Sequence, residues 1–156
     1  MLFTNEVSKD VLMRKSYFAP FMAIIWLIVI YKITASPSAT GSNTMSIIQS
    51  SLGLSESASD FLNFIIRKLA HIIVFGFLAI LLYFIFKKNR FFWAWLCTTL
   101  YAGTDEFHQL LVSGRTSSFD DVMLDSFSAA VALLLLISTM TRWKQISNNR
   151  PHRKTA

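Results

Sequence analysis

The chain carries a single cysteine, Cys97, inside an apolar run, so an intrachain disulfide and a cysteine-based metal framework are both excluded. The HExxH zincin pattern, the GxSxG nucleophile elbow and a phosphate-binding glycine loop are absent. Neither an internal repeat nor a low-complexity domain is present. A basic stripe is missing as well: the formal charge is +6 and the pI about 9.7, yet Lys and Arg cluster at the edges of apolar runs, which sets nucleic acid aside as a partner. The bulk of the chain is apolar. With 53% hydrophobic residues, 14% aromatics and a mean hydropathy of +0.47, the 156 residues amount to one domain of the membrane class, with the lipid bilayer as its first partner.

A hydrocarbon core about 30 Å thick needs roughly 20 mostly apolar residues, and four segments approach that: 17–33, 69–86, 91–111 and 122–140. The expected fold is all-α, a polytopic four-transmembrane-helix bundle. Residues 1–16 form an N-terminal segment, 34–68 an outer loop and 141–156 a basic tail. Orientation follows from the bias of Lys and Arg toward the cytoplasmic side. With the N-terminus inside, the inner segments hold eleven basic residues, including Lys87, Lys88 and Arg90 in a tight turn. The outer segments hold four, Lys32, Arg67, Lys68 and Arg115, beside seven of the acids. Both termini are therefore expected in the cytoplasm. A competing reading makes the first segment a cleaved signal peptide, with Arg14 and Lys15 before an apolar stretch and the small residues of TASPSA after it. The stretch is longer than a usual signal core and carries bulky Trp26 and Tyr31 near its end, which favours a retained helix.

Between the first two spans the composition is rich in Ser, Thr and Gly. Residues 45–54 are expected to form a short interfacial helix, and Ser59 or Asp60 to N-cap a helix that runs through FLNFIIRKLAH into the second span. The third span has a polar end and the fourth a polar beginning, and polar ends are costly to leave in lipid. The topology brings Arg67, Lys68 and His71, then Asp105 to Gln109, then Asp121 and Asp125 to one membrane face. Residues three or four apart share a helix face: Lys68 and Arg67 with His71, Glu106 with Gln109, Asp105 with His108, Asp121 with Asp125. Glu106 and Gln109 are expected to point inward, with Asp105 and His108 nearer the rim. The connecting stretch VSGRTSSFDD offers a turn glycine, Gly114, a Ser/Thr cluster able to N-cap the last helix, and Arg115, whose planar fork suits a carboxylate or a phosphate. Asp120 reads as a cap-region charge.

RKLAHIIVFGFLAILL followed by YAGTDEFHQLLVSGRTSSFDDVMLDSFSAA resembles the VanZ-like family of small bacterial membrane proteins, named for a protein linked to teicoplanin resistance. The family pattern, KxxH at one helix start, then ExxQ, then GR, then Asp with Asn or Asp four later, falls on Lys68, His71, Glu106, Gln109, Gly114, Arg115, Asp121 and Asp125. The resemblance runs from about residue 60 to 136. Ser113 stands where relatives tend to have Pro, Val74 and Phe75 where many have Glu and an aromatic, and Ser128 where a glycine is expected. Ser128, Ala129, Ala130 and Ala132 remain small enough for close helix contact. The resemblance implies a role at the bacterial cell envelope, in the plasma membrane, including tolerance of glycopeptide antibiotics, and no agreed reaction.

The leading expectation is a polar outward pocket of Lys68, His71, Glu106, Gln109, Arg115, Asp121 and Asp125 that engages an envelope lipid, a lipid-linked precursor or a glycopeptide. An alternative is a membrane enzyme acting on a phosphorylated lipid, with Glu106 or His71 as general acid or base, Arg115 on the phosphate, and Asp121 and Asp125 on a divalent ion. A third is a structural partner of a larger membrane complex. A metal site from His71, His108, Glu106 and Asp121 would scatter its ligands over three elements without a diagnostic spacing, so neither metal nor cofactor is expected.

Overall fold

The computed structural model describes residues 3–36, 40–112 and 117–149, and side chains from Tyr17 onward. Among the described residues the protein is all-helical, with five helices: α1 Phe3–Ala35, α2 Gly41–Leu52, α3 Glu56–Ile85, α4 Arg90–Leu110 and α5 Phe119–Asn148. α3 is the hub and packs against each of the other four, while α4 also packs on α5 and, more lightly, on α1. The polar contacts described below pair Lys68 and then His71 of α3 with Asp121 and then Asp125 of α5, so these two helices run parallel, and they join the end of α4 to the start of α5, so α4 runs antiparallel to both.

Local sequence explains the breaks. α2 ends where Gly53 takes a left-handed conformation, φ 64°, and donates its N–H to Gln49 O. Ser55 then starts α3, its hydroxyl accepting from the Ala58 N–H. This corrects the expectation of a cap at Ser59 or Asp60. Once Gly53 has ended α2, Ser55 is the first side chain able to cap, and Ser59 is already buried inside α3. The short helix expected over 45–54 is α2, which begins four residues earlier, at Gly41. Ser118 caps α5 by accepting from the Asp120 N–H, so the Ser/Thr cluster does supply the cap, and Asp120 is exposed in the first turn.

Three helices are long and apolar enough to cross a membrane: the stretch Tyr17–Ala35, α3 and α5. Of their most apolar windows only 17–22% of residues are buried inside the bundle, so the apolar surface points outward, as a bilayer solvent requires. α4 does not meet the same measure, because its last turns carry Asp105, Glu106, His108 and Gln109.

The interior is built from small residues and a few large ones. Ile30, Phe75, Leu78 and Ala102 form one cluster; Ala79, Ala94, Ala129 and Leu133 form a second. α3 and α5 approach closely where a methyl on Gly76 would sit 3.3 Å from Ala132 Cβ. The small residues at 128–132 thus face a glycine from the other helix, and contact stays close with Ser128 itself buried. Three interhelical hydrogen bonds end on backbone carbonyls: Trp26 Nε1–H to Val74 O, Tyr101 O–H to Leu27 O, and Trp95 Nε1–H to Ser126 O. Where water is excluded such bonds have little competition.

Candidate functional site

Where the start of α5 packs on the middle of α3, two side chains of α3 meet two of α5. Lys68 forms an ion pair with Asp121, both partly exposed. One helical turn deeper, His71 Nδ1 lies 3.1 and 3.3 Å from the two carboxylate oxygens of Asp125, which is fully buried. The spacing of three on α3 and four on α5 keeps each pair on its facing side. A carboxylate held in this way selects the imidazole tautomer and orientation, and leaves Nε2 as the other ring nitrogen.

The carboxylates of α4 have different company. Asp105 Oδ1 accepts from Thr34 Oγ1 of α1 at 2.7 Å, and Oδ2 accepts from Gln109 Nε2 at 2.8 Å. Glu106 Oε1 accepts from the same Gln109 nitrogen at 3.1 Å. Its Oε2 accepts from the Ser118 backbone N–H at 3.1 Å, so a side chain of α4 serves the cap residue of α5, as the acid of a capping box does within one helix. Asp105, Glu106 and Gln109 are all buried. The inward placement of Glu106 and Gln109 matches the helical reading, whereas Asp105, expected nearer the rim, is inside. α4 packs on three helices and therefore buries more than one stripe, with Thr34 opposite Asp105. His108 is half-buried, its ring 4.6 Å from that of Tyr31.

Two cavities adjoin the α3 pairs. A polar chamber of about 360 Å³ lies between α2, α3 and the start of α5, walled by Asp60, Asn63, Arg67, Lys68, His71 and Asp121 among others. An apolar slot of about 210 Å³ lies between α1 and α3, walled chiefly by Ile30, Ile33, Ile66, Val74 and Phe75. Arg67 and His71 line both. Glu106 and Gln109 line neither. The chamber roof is held by a staple: Asn63 Nδ2 donates to Gly41 O at 2.9 Å and Thr44 Oγ1 donates to Asn63 Oδ1 at 2.7 Å, which ties α2 to α3.

Of the residues singled out from sequence, Lys68, His71, Asp121 and Asp125 come together around the chamber, and Glu106 with Gln109 forms the adjacent buried network. Gly114 and Arg115 lie outside the described residues. Arg67, Asn63, Thr44 and Thr34 were not marked as site residues. Of these only Arg67 gave a signal, its place one turn before His71. Among the described residues no group of three or more His, Cys, Asp or Glu side chains is placed to hold a metal ion. Asp121 and Asp125 instead each face a side chain of α3.

A family model described as VanZ/LLP1 matches residues 18–141. The chain belongs to the VanZ/LLP1 family. No curated protein and no solved structure matches it. The matched region takes in the apolar part of α1 and all of α2 to α4, and it extends through most of α5. Family membership and three outward-facing apolar helices together make this VanZ/LLP1 chain a membrane protein.

Proposed function

We propose that this VanZ/LLP1 protein is a four-span plasma-membrane protein whose chamber opens on the extracytoplasmic side and binds an envelope amphiphile, in a role of the glycopeptide-tolerance type. α4 serves as the fourth span. Its 21 residues rise about 31 Å, enough for the hydrocarbon core. Its polar end is hidden from lipid because α1, α4 and α5 supply the hydrogen bonds of Asp105 and Glu106. The excess of Lys and Arg near the opposite end of the bundle, at Lys87, Lys88, Arg90 and Arg142, supports cytoplasmic termini and an outward chamber.

The observation that carries the reading is the chamber of about 360 Å³ on whose wall Arg67, Lys68, His71 and Asp121 converge. Ionisable groups gathered in a membrane bundle mark a functional site more often than a structural one. The test expresses Lys68→Gln and His71→Ala proteins at equal membrane levels and scores teicoplanin susceptibility. Each variant is expected to lose tolerance, and wild-type tolerance in both would overturn the reading.

A second reading, a membrane enzyme acting on a phosphorylated lipid, draws on the His71–Asp125 pair. His71 lines the chamber and is oriented by a buried carboxylate, the arrangement of a general base and its orienting acid. Within that reading His71 is the better candidate than Glu106, which lines neither cavity and whose two oxygens are both engaged, by Gln109 and by the Ser118 N–H. Bound lipid recovered unchanged from purified protein would exclude it for that lipid.

A further inference from the structure

Arg67 stands at a junction. With His71 it lines both the polar chamber and the apolar slot, so a molecule occupying both lies against these two side chains. Among the described residues Lys68 is engaged by Asp121 and His71 by Asp125, while neither Arg67 nor Asp60 has an ion-pair partner. The guanidinium has room there because residue 41 is glycine: a methyl at that position would sit 2.5 Å from Arg67 Nη1. Asp60, exposed, lies on the chamber wall seven residues earlier in α3, two helical turns and about 10 Å nearer the helix start. Side chains on a helix lean toward its N-terminus, which carries the guanidinium toward that carboxylate.

The sequence of surroundings from the bundle interior outward is thus apolar slot, unpaired cation, then unpaired anion. A zwitterionic phospholipid presents the complementary order: hydrocarbon chain, phosphate, then ammonium. We propose that the chamber and slot bind an aminophospholipid, with one chain in the slot, the phosphodiester on Arg67 and the headgroup ammonium on Asp60. The inference rests on the chamber being a ligand site and adds the class of lipid. An Arg fork suits the phosphodiester oxygens, and a primary ammonium donates charge-assisted hydrogen bonds to Asp60, whereas a hydroxyl headgroup donates only a weaker bond without the opposite charge and a trimethylammonium donates none.

The full chain, purified in detergent, is incubated with mixed micelles holding equal amounts of phosphatidylethanolamine, phosphatidylglycerol and phosphatidylcholine. Retained lipid is read by native mass spectrometry. The expected result is retention of phosphatidylethanolamine about tenfold above the other two, the scale of one charge-assisted hydrogen bond. Asp60→Asn, at an exposed position that leaves the fold intact, is expected to abolish the preference while lipid is still retained. Arg67→Gln is expected to lower retention of all three. Gly41→Ala, which keeps every charge and displaces the guanidinium, is expected to lower retention severalfold. Wild-type protein that holds phosphatidylglycerol or phosphatidylcholine as well as phosphatidylethanolamine, or Asp60→Asn protein with an unchanged preference, would overturn the proposal. If Lys68→Gln and His71→Ala abolish glycopeptide tolerance while this preference is absent, the ligand class fails and the site reading stands.

Discussion

Asp121 and Asp125 on α5 meet the basic side chains Lys68 and His71 of α3, which line the chamber, whereas the partners of Asp105 and Glu106 on α4 among the described residues are the neutral donors Thr34, Gln109 and the Ser118 N–H. Acidic side chains thus serve two ends in neighbouring parts of the bundle. The α5 acids hold and orient groups that face open space. The α4 acids satisfy donors that would otherwise be orphaned between helices, including the N–H of the α5 cap residue. Changes in the first set should damage function more than folding, and changes in the second should do the reverse.

The largest effect is expected on the scaffold side. Glu106→Ala leaves the Ser118 N–H without its acceptor and Gln109 with one fewer, and is expected to destabilise the protein by about 3 kcal/mol in detergent unfolding. Glu106→Gln, whose amide oxygen still accepts from one of the two donors while its NH2 faces the other, is expected to cost less, about 2 kcal/mol. Equal losses for the two variants would show that the negative charge, rather than the hydrogen bonds, is what the site requires.

Asp125 stands between the two sets, fully buried yet paired with a chamber residue. Asp125→Ala is expected to destabilise by about 2 kcal/mol, and a double-mutant cycle with His71→Ala is expected to give a coupling of about 1 kcal/mol. A coupling near zero would separate the histidine from its orienting acid. The smallest effect on stability is expected at Lys68→Gln, below about 1 kcal/mol because the pair with Asp121 is partly solvated, alongside the loss of tolerance expected for the same variant.

Sequence pattern reached far into this arrangement where the forces are local. Periods of three and four placed Lys68 with His71 and Asp121 with Asp125, and the apolar runs located α1, α3 and α5. It stopped where partners come from distant segments. Nothing along α4 tells which of its polar stripes is covered, because that depends on Thr34, which lies 71 positions away. The docking of α2 rests on Asn63 reaching Gly41 and Thr44, neutral residues of a kind that loops carry freely, so no periodicity marks them. Arg67, placed by sequence on the converging face, was left out of the expected pocket for a related reason: its position where two cavities meet arises only from the packing of α1 and α2 on α3.

The central claim, a chamber that opens outside the cell, is tested most directly by labelling intact cells with a membrane-impermeant maleimide in a Cys97→Ser background. Ser42, exposed and on the chamber wall, and Lys88, exposed in the turn between α3 and α4, each provide a position for a single cysteine. Ser42→Cys is expected to label in intact cells and Lys88→Cys only after permeabilisation. Labelling of Lys88→Cys in intact cells with Ser42→Cys protected would contradict the account.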